Sequence, residues 1–229
     1  MQSYEWRGWR CCMTGGREGA PTTVFILGHG DTALLETLSV RFPSCRLIGV
    51  YPPDWNDSCT PWPAPGLRKK DRAFGGGASE TLSFLVERLL PWARSLEPIP
   101  ASGPQLMLAG YSLAGLTCLY GLYQGMPFGR FASLSGSLWN PGWTEYALRS
   151  TAPAAAQVYL SLGKDEPRSR HPLLRTVGEA TETTVRVIRG QLAPGQVCFQ
   201  WNEGGHFADY AARYERALRW AWGDMACVH

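Results

Sequence analysis

The sequence predicts an α/β fold in one domain spanning residues 1–229, with a mostly parallel central sheet covered by helices on both faces. Three observations predict it. From residue 23 onward, short apolar runs alternate with longer segments of helical spacing, and such alternation places crossover helices on both sides of parallel strands. Between Gln105 and Gln124 an apolar run turns into a helical one through the corner Gly110-Tyr111-Ser112-Leu113-Ala114-Gly115. Finally, 229 residues with 45% hydrophobic and 18% charged side chains suit a single ordered domain with a full core.

The stretch Tyr4–Met13 is expected to add one or two edge strands. Short apolar runs bounded by turn residues then predict strands at Thr23–Leu27, Arg46–Tyr51, Gln105–Ala109, Phe131–Leu134, Val158–Leu162 and Val197–Trp201. Helical spacing predicts helices at Ala33–Arg41, Glu80–Leu96, Leu113–Gln124, Trp143–Arg149, Pro172–Arg189 and Ala208–Trp222. Pro91 is expected to kink or interrupt the second of these. No repeat, linker or second domain is visible. Residues 51–79 break the rhythm with prolines, Trp55, Trp62 and the Gly75-Gly76-Gly77 run. A loop this long inside a compact domain is usually functional or disordered, and its tryptophans argue for packing. The glycine run lacks the Lys-Ser pair of a phosphate loop, so it reads as a hinge or close-packing point.

Composition excludes several classes. A net charge of +3 is too small for a nucleic-acid partner. No apolar run is long enough to span a membrane, and the N-terminus lacks the apolar centre of a signal peptide. The cysteines at 11, 12, 45, 59, 118, 198 and 227 form no C-x-x-C pair. They read as reduced thiols in a cytoplasmic protein. The four histidines stand in no ligand-type spacing, so neither a metal nor any other cofactor is expected. No feature specifies an oligomer.

The corner at Ser112 carries the chemistry. A sharp strand-to-helix turn exposes a serine hydroxyl at the head of a new helix, and small neighbours such as Gly110, Ala114 and Gly115 permit the turn. Serine needs a histidine to take its proton and an acid to fix the imidazole. On this architecture the order is serine, acid, histidine. His29 precedes the serine, His171 closely follows the acid candidates and His229 is terminal, which leaves His206 in Glu203-Gly204-Gly205-His206-Phe207. The acid should follow the strand ending near Gly163, where both Asp165 and Glu166 qualify and spacing does not choose. An oxyanion hole needs two backbone N–H groups: Leu113 is expected to supply one and His29, on the glycine-flanked loop after the Thr23–Leu27 strand, the other. Asp31 on that loop also reads as a helix N-cap.

With these residues in view, the chain resembles the α/β-hydrolase superfamily, and within it the esterases related to enterochelin esterase. The segments carrying the resemblance are DWNDSCTPW (54–62), AGYSLAGL (109–116), SLSGSLWNPGW (133–143) and EGGHF (203–207). The resemblance implies an α/β-hydrolase fold limited to the catalytic domain. It also implies a Gly-x-x-Glu placement of the acid, which matches Gly163 to Glu166 and favours it over Asp165. Ala114 departs from the family's usual glycine.

The resulting expectation is a serine hydrolase that cleaves a small-molecule carboxylic ester or lactone through an acyl-enzyme. Ser112 attacks, His206 shuttles the proton and Glu166 orients the ring. Asp54, Trp55, Trp62 and Trp139, on the two segments expected around the serine, are candidate pocket residues; aromatic walls suit a bulky or flat group. The alternatives are an acyltransferase on the same triad and a non-catalytic binding protein with an esterase-like fold.

Overall fold

The computed structural model describes residues 1–223; Cys227 and His229 lie outside the described residues. Eight strands form one sheet in the order β1-β2-β4-β3-β7-β8-β9-β10. They are β1 (Gln2–Trp6), β2 (Trp9–Met13), β3 (Thr22–Ile26), β4 (Arg46–Tyr51), β7 (Gly103–Tyr111), β8 (Phe128–Leu134), β9 (Gln157–Gly163) and β10 (Val197–Asn202). The two-residue strands β5 (Pro63–Ala64) and β6 (Phe74–Gly75) pair separately. From β4 to β10 every neighbouring pair is parallel, while β1–β2 and β2–β4 are antiparallel. The predicted N-terminal edge strands are therefore a hairpin added to an otherwise parallel sheet.

Helices cover both faces of this α/β-hydrolase fold. On one side α3 (Ala78–Phe84), α4 (Leu90–Leu96), α5 (Leu113–Tyr123), α6 (Trp143–Arg149) and α7 (Val177–Gln191) bury the larger apolar cluster. On the other, α1 (Thr32–Arg41) and α8 (Tyr210–Trp222) cover the second. The small α2 (Trp55–Ser58) lies within the long segment after β4. α5 is buried nearly all round, as expected of a helix whose apolar residues form no single stripe.

Pro91 does not break its helix. A π-helical turn at Leu85–Leu89 joins α3 to α4 just before it; proline offers no N–H to the preceding turn, and a widened turn accommodates its ring. The predicted Pro172–Arg189 helix is two pieces, a 3₁₀ turn at Leu174–Thr176 followed by α7.

Residues 51–79 are ordered. Asp54 caps α2 by accepting from the Asp57 N–H, and Arg72 pairs with both Asp54 and Asp57. Gly76, at φ +84°, packs where a Cβ would lie 2.6 Å from Pro63, so the glycine run is a close-packing point. Cys11, Cys12, Cys45, Cys59 and Cys118 are free and buried. Cys198 is disulfide-bonded, a departure from the expectation of thiols throughout, because linear spacing does not reveal which sulfurs fold within bonding reach. Among the described residues no helix is long and apolar enough to cross a membrane.

The β7–α5 corner is a tight turn serving the site. A Cβ on Gly110 would stand 2.6 Å from the Ala114 Cβ and 2.7 Å from its carbonyl oxygen. Gly110→Ala is expected to lower stability by about 1–3 kcal/mol through overpacking, measured by urea unfolding, with a matching shift in the denaturation midpoint.

Candidate active site

Parallel strands β7, β8, β9 and β10 lie side by side, so the residues just past their C-terminal ends share one rim of the sheet. Ser112, Ser135, Glu166 and His206 occupy those four positions in turn. Open parallel sheets place their sites at this rim. Ser112 adopts φ 57°, ψ −122°, the strained conformation of a strand-to-helix corner that points the hydroxyl outward. Its backbone is held by its N–H on Leu134 and by the Ser137 N–H on its carbonyl, at 3.0 and 2.9 Å.

The three candidate side chains meet. His206 Nε2 is 3.1 Å from Ser112 Oγ, and His206 Nδ1 is 2.7 Å from Glu166 Oε2. Glu166 Oε1 accepts from Ser135 Oγ at 2.7 Å, from the Gly163 N–H at 2.8 Å and from Arg213 at 3.1 Å. Arg213 is fully buried; it also donates to Ser135 Oγ and, at 2.7 Å, to the Gly205 carbonyl. Burial pushes the Glu166 carboxyl up, but the hydrogen bond and charge of His206, with the Ser135 hydroxyl and the Gly163 N–H, outweigh it and hold the group below its ordinary 4.5. An ionised carboxylate only accepts, so Nδ1 carries a proton and Nε2 presents a lone pair to the Ser112 hydroxyl. The Ser112 oxygen in turn stands 3.2 Å from Ser137 Oγ, which is free to donate to it.

The histidine loop is positioned by two contacts. Tyr111, next to the serine, donates its hydroxyl to the His206 carbonyl and meets the imidazole edge-on at 5.4 Å. Arg213 holds Gly205 from below. Neither Arg213 nor Ser135 was legible as part of the site from sequence. Arg213 lies within the predicted C-terminal helix, where an arginine ordinarily faces solvent. The buried free cysteines are unsuited as nucleophiles: burial pushes Cys11 up to about 12 and raises Cys59 and Cys118 well above the ordinary thiol value.

The remaining predicted residues fall in different places. Asp165 is half-exposed, lines the same cavity and pairs with Arg168 at 2.7 Å, while the imidazole is bonded to Glu166. Leu113 opens α5, so its N–H is one of those left without an acceptor inside the helix. The loop after β3 is folded by Asp31, which accepts from the Gly28 N–H and the Tyr210 hydroxyl, both at 2.9 Å. Asp31 stands at the N-cap of α1 without a side-chain capping bond. The His29 side chain is exposed and lies in a separate hollow with Arg10 and Trp6.

A cavity of about 420 Å³ opens onto Ser112 and His206, walled by Leu67, Trp139, Leu174, Val177 and Phe207. Of the four candidate pocket residues only Trp139 lines it. Asp54 is occupied by Arg72 and the α2 cap. Trp55 packs against the larger core cluster. Trp62 donates Nε1 to the Pro141 carbonyl at 2.6 Å and lies against Tyr146. These rings stitch the long segment to its neighbours, since an amphipathic indole near a carbonyl gains more from packing plus one hydrogen bond than from exposure. Phe207, 84% exposed beside His206, is a cavity residue that the sequence reading missed; its place directly after the histidine was the available signal.

A family model described as Putative esterase matches residues 31–212. The chain belongs to this esterase family. It is thereby a hydrolase of ester bonds, with a small-molecule ester as substrate. The esterase is 28% identical over 189 residues to the uncharacterized protein YbbA of Bacillus subtilis (strain 168), covering 80% of this chain and 75% of that one. Its fold is similar to that of the BES protein from Bacillus cereus (19% identity, TM-score 0.72, 96% and 95% of the two chains). It is also similar to the siderophore hydrolase EstB from Aspergillus nidulans (18% identity, TM-score 0.73, 98% and 96%). Against the enterobactin esterase FES from Shigella flexneri the TM-score is 0.69 at 18% identity, with 96% of this chain covering 59% of that one.

Because Glu166 is held below its ordinary value in the folded state, its contribution to stability is present above about 4.5 and lost as pH falls through the lowered value. Acid titration of unfolding free energy is expected to fall across that window. The fall should be shallower in Glu166→Gln.

Proposed function

We propose that the esterase cleaves a carboxylic ester or lactone through an acyl-enzyme on Ser112, with His206 as general base and acid and Glu166 as the orienting carboxylate. The reading is carried by one observation: a single imidazole spans the Ser112 hydroxyl at 3.1 Å and the Glu166 carboxylate at 2.7 Å. Ser112 Oγ attacks the carbonyl carbon while its proton passes to His206 Nε2. The imidazolium is stabilised by Glu166, which keeps its own negative charge throughout. The carbonyl oxygen becomes an oxyanion, and the N–H groups of Leu113 and His29 are the donors assigned to it. Collapse expels the alcohol, protonated by His206. Water then gives a proton to the same nitrogen and attacks the acyl carbon; the acyl–Oγ bond breaks, His206 returns the proton to Ser112, and the acid is released. The Ser137 hydroxyl, 3.2 Å from the nucleophile, holds the Ser112 rotamer between turnovers.

The apolar walls of the cavity favour a bulky apolar or aromatic group on one side of the carbonyl. Trp139 and Phe207 supply flat surfaces at little entropic cost. Asp165, Asp54, Trp55 and Trp62 have no part in the proposed chemistry.

A fluorophosphonate is expected to label wild-type protein at Ser112 and to leave folded Ser112→Ala unlabelled. His206→Ala should lower kcat for a phenyl ester by roughly 10⁴-fold or more, followed by release of the phenol. Folded wild-type protein that resists the label would remove the acyl-enzyme from consideration.

A further inference from the structure

A second hollow, of about 380 Å³, opens at the tip of the β1–β2 hairpin, where Arg7, Arg10 and His29 line it together with Glu5, Trp6 and Trp9. Register puts it at the serine's end of the sheet. Arg10 pairs with Tyr51, the last residue of β4, and β4 runs parallel to β3, which runs parallel to β7. His29 sits on the loop that follows β3. Three strand spacings separate β2 from β7, or about 14 Å.

The basic side chains here lack counterions. The Arg10 guanidinium lies 4.6 Å from the centroid of Tyr51 and donates weakly to Thr32 Oγ1 at 3.5 Å, while its buried Nε has no partner. Arg7 lies over the Trp6 ring at 4.9 Å. Glu5 stands opposite Arg10 in the β1–β2 register, but neither arginine forms an ion pair among the described residues. The other guanidinium groups near the site differ: Arg72, Arg168 and Arg213 each have carboxylate partners. A guanidinium that is partly buried with open donors is suited to a carboxylate, which its planar fork can meet in two hydrogen bonds.

We propose that this hollow is an anion subsite of the esterase that binds a carboxylate on one arm of the ester, while the apolar cavity takes the other arm. The proposal rests on Ser112 as the nucleophile. The apolar cavity is built from the rim beyond β8, β9 and β10, and the basic hollow from the opposite side, beyond β3 and at the hairpin tip. A carbonyl held at Ser112 lies between the two. The strand spacing sets the carboxylate on the order of 10–15 Å from that carbonyl, and the loop carrying His29 is the surface it crosses. The substrate class is therefore an ester with an apolar or aromatic group on one side and a carboxylate-tipped chain on the other. Glu5, at the same rim, opposes the anion and moderates its affinity.

The test compares benzoyl esters of hydroxyoctanoate and of octanol, which differ in the terminal carboxylate. Wild-type protein is expected to favour the carboxylate ester by about ten-fold or more in kcat/KM, less at high salt. Arg10→Gln and the double variant Arg7→Gln/Arg10→Gln should lose that preference. Hydrolysis of the octyl ester should stay within about two-fold, with fluorophosphonate labelling of Ser112 reporting that each variant is folded. Equal rates for the two esters in wild type, or a preference that survives the double variant, would overturn the subsite. A catalytic failure is separable, because hydroxyoctanoate itself should perturb the indole N–H signals of Trp6 and Trp9 in Ser112→Ala and leave them unmoved when Arg10→Gln is added. Unmoved signals in Ser112→Ala alone would also overturn it, whatever the esters show.

Discussion

The buried carboxylate of Glu166 is the interaction on which the site is built. Taking a charged carboxylate out of water costs several kcal/mol unless its lone pairs are met. Three donors meet Oε1: the Ser135 hydroxyl, the Gly163 N–H and the Arg213 guanidinium. That leaves Oε2 to a single partner, the Nδ1 of His206. The imidazole is thus fixed in tautomer and in direction by an acid that has no other use for its second oxygen. The same arginine reaches the carbonyl of Gly205, so acid and histidine loop are tied to one buried cation. In the proposed mechanism a carboxylate held this way keeps its charge while the proton moves between Ser112 and His206.

The sheet supplies the convergence. Four parallel strands in adjacent positions end at one rim, and each contributes one member of the network. Two of those members, Ser112 and Ser135, have positive φ of 57° and 44°. Such conformations cost of order 1–3 kcal/mol each and persist only when the surroundings over-determine them. Here the neighbouring strand ends do so: Ser112 N–H binds the Leu134 carbonyl, and Ser135 N–H binds that of Ser161. The largely buried α5 then fixes the corner from behind, because Gly110 and Ala114 leave no room for it to relax.

The long segment between β4 and α3 contributes shape rather than chemistry. Its ion pairs are internal, with Arg72 on Asp54 and Asp57. One residue of it, Leu67, reaches the serine cavity, and the Leu67 carbonyl is 2.6 Å from His171 Nε2, on the segment that bears Leu174. One side of the cavity wall is therefore two segments joined by a histidine. This gives His171 a structural place distinct from that of His206.

Much of this was written in local patterns. The parallel strands β3, β4, β7, β8, β9 and β10 lie within a few residues of their predicted spans because apolar runs bounded by turn residues are short-range signals. The corner at Ser112 and the loop at His206 were equally legible, since glycine and small residues mark tight turns wherever they occur. Distance in the chain hides the rest. Asp165 and Glu166 are neighbours following the same strand, and spacing treats them alike. The turn after Gly163 directs Glu166 inward to four donors and leaves Asp165 to Arg168. Family resemblance pointed to the same residue, but the physical selection is long-range. It depends on Ser135 from one strand end and Arg213 from a helix beyond the histidine. Trp55 and Trp62, unlike Trp139, lie outside the cavity for the same reason: an indole's affinity for apolar surface is local, but whether that surface is core, loop or cavity is set by what folds against it.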